Sequence, residues 1–132
     1  MCTTHHGLRV ISGSKASDEA LEQTAHLINS IMDYVDPRVA PKMRSNGFRH
    51  AVMAPYPTEL TTDIPEHAWL GDSWNERARG LGATMSLPVG SSAEENILCH
   101  NNDRSDHILR WLDVDTNNSE VKLVKLPTDL LN

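Results

Sequence analysis

The chain has 132 residues, 12 Lys+Arg against 18 Asp+Glu for a formal net charge of −6 at pH 7, and 39% hydrophobic with 5% aromatic residues. That is the size of one domain, able to bury roughly two thirds of its unfolded surface; the acidic balance and the lack of a basic run argue against nucleic acid as a partner. The longest apolar stretches are only a few residues, which excludes a transmembrane helix, and "MCTTHHG" at the start lacks the apolar run of a signal peptide. A single domain over 1–132 is expected, with flexible ends at 1–7 and 127–132. Two cysteines, Cys2 and Cys99, fit either one long-range disulfide or two free thiols, which leaves the compartment open.

In chain order, "LRVIS" (Leu8 to Ser12) is a β-branched apolar run followed by Gly13, the pattern of a buried strand and its exit turn. Ser17 then suits an N-cap, with Asp18 and Glu19 in the first helical turn and Leu21, Ala25, Ile28, Met32 and Val35 forming one apolar face. Asp36-Pro37 stops this helix, because the residue before proline is pushed out of the α region. Val39 to Met43 adds a helical turn closed by Asn46-Gly47, and "FRHAVMA" (Phe48 to Ala54) alternates as a second strand, completing a β-α-β unit. The expected fold is therefore α/β (α+β): an N-terminal β-α-β unit with helix 17–35 packed on a short mixed sheet, and a loop-rich second half.

That second half opens with "PYPTELTTDIPEH" (Pro55 to His67), whose three prolines predict a long extended loop of the kind that often carries function. Asp72 to Arg79 predicts a short helix carrying Trp74, ended by Gly80 and Gly82 before a strand at Thr84. In "SSAEEN", Ser91 or Ser92 is placed to cap a helix starting at Ala93, with Glu94 or Glu95 completing a capping box. Asp103 to Val114 reads as a helix with Ile108, Leu109, Trp111 and Leu112 on its apolar side, and "EVKLVKL" (Glu120 to Leu126) reads as an exposed or edge strand after the turn-rich "DTNN".

Chemistry has to be sought among the histidines and acids. His5 and His6 near the start read as solvated, His26 as a polar-face residue of the first helix, and His50 as a satisfied polar group in a strand. His67, preceded by Glu66, and the group His100, Asp103 and His107 are the metal candidates, because Asp103 and His107 lie four apart on one helical face with His100 seven before His107. The same spacing also arises by chance in polar helices. Ser91 and Ser92 lack a Gly-x-Ser-x-Gly elbow, Gly80, Gly82 and Gly90 do not form a dinucleotide-binding pattern, and Cys99, after apolar Ile97 and Leu98, reads as a buried small hydrophobe.

Taken together, "MAPYPTELTTDIPEH", "WNERARGLGAT", "LPVGSSAEENILC" and "DRSDHIL" resemble the upstream portion of a secreted zinc-metallopeptidase-like family, distantly similar to the lethal-factor type, over Leu8 to about Leu109. In that family these segments lead into a helix bearing His-Glu-x-x-His. Here Ser105 replaces an expected aromatic residue, Trp111 and Leu112 fall on the first His-Glu pair, and Asp115 falls on the second histidine. Two histidines four apart bind zinc from one helical face while the glutamate between them acts as general base; Trp and Leu do neither. Ser92 also stands where the resemblance implies a cysteine paired near Cys99, with Cys2 as a substitute partner.

Two functional readings of different class follow. The first is a non-catalytic metallopeptidase-like protein, either a shortened form or a degenerate relative, that acts by binding a protein or peptide partner or has no independent activity, needs no cofactor, and is secreted if it follows the family. Its apolar side of Ile108, Leu109, Trp111 and Leu112 is then open for self-association. The alternative is a zinc-dependent hydrolase with a non-standard ligand set, His67, His100, Asp103 and His107, and with Glu94 or Glu95 as general base.

Overall fold

The computed structural model describes residues 1–100 and the backbone of 112–115 and 120–123. By contacts the chain divides into two compact units, Met1–Asn102 and Asp103–Asn132.

The first unit is built on a four-stranded sheet in the order β1-β2-β3-β4, with β1 Cys2–Thr3, β2 Arg9–Ser12, β3 Arg49–Met53 and β4 Val89–Ala93. β1 runs antiparallel to β2, whereas β2, β3 and β4 are mutually parallel, with Val10 opposite His50 and Val52 opposite Ser92. This is the small mixed-sheet α/β domain expected from the sequence. Helix α1, Asp18–Met32, and helix α2, Val39–Ser45, form the β2-to-β3 crossover that parallel pairing requires.

The period-two alternation of the strands decides what each face buries. Val10 and Val52 meet Ala20 and Leu21 of α1, with Cys2, Ala25, Ile28 and Leu98 at the margin. Leu8 packs with Met32 and Ala40, against Val35, Met43 and Phe48. On the opposite face Ala51, Met53, Val89 and Ala93 surround Ile64, with Ile11 beside them. Parallel strands covered on both faces account for the near-continuous apolar runs in β2 and β3.

The helical face expected on α1 forms as read, with Ser17 as N-cap and its Oγ accepting the Ala20 N–H at 3.2 Å. The helix stops at Met32 rather than Val35, because Asp33 already closes the last turn onto Asn29 before Asp36-Pro37 is reached. Pro55 to His67 is less extended than expected: it contains 3-10 helices at Thr61–Asp63 and Pro65–Leu70 that lay Ile64 on the sheet. Helix α3, Ser73–Arg77, forms as a short helix.

The strand expected at Thr84 is absent. The Thr84 N–H donates to the Leu87 carbonyl and the Leu87 N–H donates to Thr84 Oγ1, closing a turn, and the strand begins only after Pro88. Consequently Ser91 and Ser92 lie within β4 and do not cap helix α4, Glu94–Ile97, whose N-cap Ala93 has no hydrogen-bonding side chain. Cys99 is exposed rather than buried: it takes a left-handed turn (φ +56°) at the end of α4, and Leu98 occupies the apolar position instead. Both thiols are free.

The second unit contains a hairpin of β5, Leu112–Asp115, and β6, Glu120–Leu123, paired antiparallel with Val114 opposite Val121. The last three positions of the helix expected over Asp103 to Val114 are thus strand, and the rest of it lies outside the described residues. Of the strand expected over Glu120 to Leu126, Glu120–Leu123 is strand and the rest lies outside the described residues.

Candidate functional site

Because β2 and β3 are parallel, the chain leaves both strands at the same end of the sheet. The turn after β2 brings Gly13, Ser14 and Lys15 there, and the loop after β3 brings Thr58, Glu59 and Asp63. Between them opens a cleft in two adjoining parts. The inner part, about 390 Å³, has an apolar floor of Ile11, Ala51 and Ile64; the outer part, about 440 Å³, is lined by Ser14, Lys15 and Thr58. Gly13, Glu59 and Asp63 line both. A crevice outside the carboxyl ends of parallel strands is the usual ligand position in α/β sheets.

Each carboxylate in the cleft is held by one oxygen. Glu59 Oε2 accepts the Ala54 N–H at 2.8 Å, and Asp63 Oδ2 accepts the Leu60 N–H at 2.7 Å. Glu66 receives two hydrogen bonds from Arg49 on Oε1, at 2.6 and 3.1 Å, and this guanidinium, helped by a backbone hydrogen bond, holds the Glu66 carboxyl below the usual carboxylate range. Glu66 is therefore neutralised locally, whereas Glu59 and Asp63 are not.

Behind the cleft stands Arg79, the residue that fixes the Glu59 loop. Its guanidinium makes a bidentate pair with Glu95, Nε to Oε1 at 2.7 Å and Nη2 to Oε2 at 3.2 Å, with side chains 6% and 0% exposed. The remaining donors go to the carbonyls of Glu59 (2.7 Å) and Ala54 (3.2 Å), and the group lies over the Tyr56 ring at 5.5 Å. One buried cation thus ties α4 to both ends of the 54–59 loop. Gly80 makes the close approach possible: at φ +147°, an added Cβ would lie 2.4 Å from the Ser91 carbonyl oxygen.

The sequence-derived candidates are not gathered in this cleft. Glu94 is buried, and its Oε2 accepts the Ser17 N–H at 2.9 Å, so it braces the start of α1. Glu95 is the buried partner of Arg79. His67 is wholly enclosed, and neither ring nitrogen finds a hydrogen-bond partner among the described residues; buried Asn96 Oδ1 is likewise without one among them. His100 is exposed, with its N–H donating to the Glu95 carbonyl at the end of α4. Asp103 and His107 lie outside the described residues, as do Ile108, Leu109 and Trp111, while Leu112 is described only as backbone of β5. A zinc site is not assembled by the described residues alone, in which no three His, Cys, Asp or Glu side chains come close enough to share an ion.

Comparison with protein-family models, with curated proteins and with solved structures finds no match.

His50, read from sequence as a satisfied strand residue, is that: its Nε2 lies 2.9 Å from Ser92 Oγ on the adjacent strand, and burial pushes its pKa down. Sequence reasoning missed Gly13, Glu59, Asp63 and Arg79. The one usable signal was the density of prolines, hydroxyls and acids in 55–67, which marked the loop but not its partner. Arg79 gave none, since its contacts lie 16 to 25 residues away along the chain.

Proposed function

We propose that this chain is a non-catalytic binding protein on a metallopeptidase-like scaffold, and that its ligand enters the cleft beyond the C-terminal ends of β2 and β3. The observation that carries this reading is the fate of the two candidate general bases. Glu95 has both oxygens committed to Arg79, and Glu94 is buried with one oxygen on the Ser17 N–H. A general base must reach the proton it removes, and a carboxylate locked into a buried ion pair is built for support. Replacement of the expected His-Glu pair by Trp111 and Leu112 points the same way. The cleft retains what recognition needs: a volume in the range of small-ligand pockets, an apolar floor and a few fixed polar groups.

The test is the metal content of protein purified without added metal, followed by chelator titration monitored by thermal unfolding and by hydrolysis of a mixed peptide library. The reading expects sub-stoichiometric zinc, an unchanged melting temperature and no cleavage. Stoichiometric zinc whose removal lowers the melting temperature and abolishes cleavage would establish the hydrolase alternative.

A further inference from the structure

We infer that the cleft binds a primary ammonium group carried on a short apolar body, as in an alkylamine or the N-terminal residue of a peptide. This rests on the reading of the cleft as a binding site and names the chemistry it selects. The cavity is divided by character. Its floor, Ile11, Ala51 and Ile64, is apolar, and the only carboxylate confined to that inner part, Glu66, is already paired with Arg49. An apolar body fits there and a free charge does not.

At the waist shared by both parts stand Glu59 and Asp63. Each uses one oxygen on a backbone N–H, which fixes its direction, and the other oxygens, Glu59 Oε1 and Asp63 Oδ1, have no hydrogen-bond partner among the described residues. The space beside Oε1 is open because residue 13 is glycine: a Cβ there would sit 3.2 Å from that oxygen. An ammonium, with three donors and a positive charge, complements two such acceptors through charge-assisted hydrogen bonds. A hydrated metal ion would use the oxygens and leave the apolar floor wet; an amine uses both. Lys15, on the outer rim, opposes an incoming cation and sets the sense of entry, apolar end first toward the floor.

The test uses the full chain, labelled with ¹⁵N, and follows amide shifts at Gly13, Glu59 and Asp63 during titration with 3-methylbutylamine and with its neutral counterpart 3-methylbutanol. Saturable binding of the amine is expected, with the alcohol weaker by roughly 10- to 100-fold, the loss of hydrogen bonds to a charged group. Glu59→Gln keeps an acceptor for Ala54, and Asp63→Asn keeps one for Leu60; each is expected to weaken the amine by roughly tenfold or more at an unchanged melting temperature. Should either carboxylate variant fold poorly, Gly13→Ala fills the space beside Oε1 without altering charge and is expected to weaken the amine as well. Leucinamide binding as tightly as Leu-Gly-Gly identifies a small amine as the ligand, while tighter binding of the tripeptide identifies a peptide N-terminus. Equal affinity for amine and alcohol, or indifference to all three substitutions, would overturn the amine assignment while leaving the cleft a binding site. Zinc-dependent cleavage in the preceding experiment would instead remove the reading beneath it.

Discussion

Replacing Arg79 by methionine removes the cation that ties the Glu59 loop to α4 while keeping much of the aliphatic volume. The substitution leaves the fully enclosed Glu95 carboxylate without its counter-charge and abandons the carbonyls of Glu59 and Ala54. Breaking a buried pair from one side costs about 3–5 kcal/mol, because the remaining charge has neither water nor a partner. Measured against the roughly 5–15 kcal/mol that hold an ordinary domain together, this is a large share. At roughly 4–5 °C per kcal/mol for a domain of this size, the melting temperature falls by about 12–25 °C. Urea titration followed by tryptophan fluorescence, together with thermal unfolding by circular dichroism, gives both quantities. The decisive arm is the double variant Arg79→Met/Glu95→Leu. If the damage comes from an orphaned charge, removing that charge too recovers a substantial part of the loss, since an apolar pair of similar volume is often no worse than the ion pair. A single variant within about 1 kcal/mol of the parent, or a double variant worse than the sum of the two singles, would refute the role given to Arg79.

Gly80→Ala is expected to cost about 2–4 kcal/mol in urea unfolding, since its Cβ meets the Ser91 backbone 2.4 Å away at an unfavourable φ; Gly47→Ala, strained in φ (+79°) but facing open space, is expected to cost only about 1–2 kcal/mol. Ser17→Ala and Glu94→Ala remove different acceptors from the start of α1 and should each lower stability by about 1 kcal/mol, whereas Ser17→Gly should cost only a few tenths of a kcal/mol. His50 is held neutral by burial, so its folded pKa lies below the unfolded value of 6.5: the stability of the neutral form is complete above 6.5 and is lost as pH falls from there toward the folded value. The urea midpoint should therefore decline as pH falls below about 6.5, and His50→Gln, which retains a polar group for Ser92, should flatten part of that decline.

The β-α-β unit was legible because its signals are local. Ser17 followed by Asp18 and Glu19, and an apolar residue on every turn from Leu21 to Met32, define a helix without reference to anything else. The second half misled for the converse reason. In "SSAEEN" a hydroxyl next to carboxylates satisfies a capping rule on paper, yet β4 needed its residues as strand, paired with β3 along Val89–Ala93. Glu94 then found an orphan N–H at Ser17, 77 residues away, and Ser92 found His50. Tertiary pairing overrode a local motif of about 1 kcal/mol, as is common for weak caps.

By itself the sequence determined the class of fold, the main helix, both central strands and the acidic net charge. Those properties depend on side-chain period and composition, which are written in neighbouring residues. Only the tertiary structure decided which carboxylates support the fold and which face the cleft. Glu94 and Glu95 stand beside each other in the chain, as Glu59 and Asp63 nearly do, and all four have the same chemistry. What separates them is burial against distant segments: Glu94 and Glu95 are enclosed against Ser17 and Arg79, whereas Glu59 and Asp63, each held by one backbone N–H from its own loop, keep an oxygen toward the cleft. A carboxylate's role follows from what its oxygens meet once the strands have brought remote loops to the same end of the sheet.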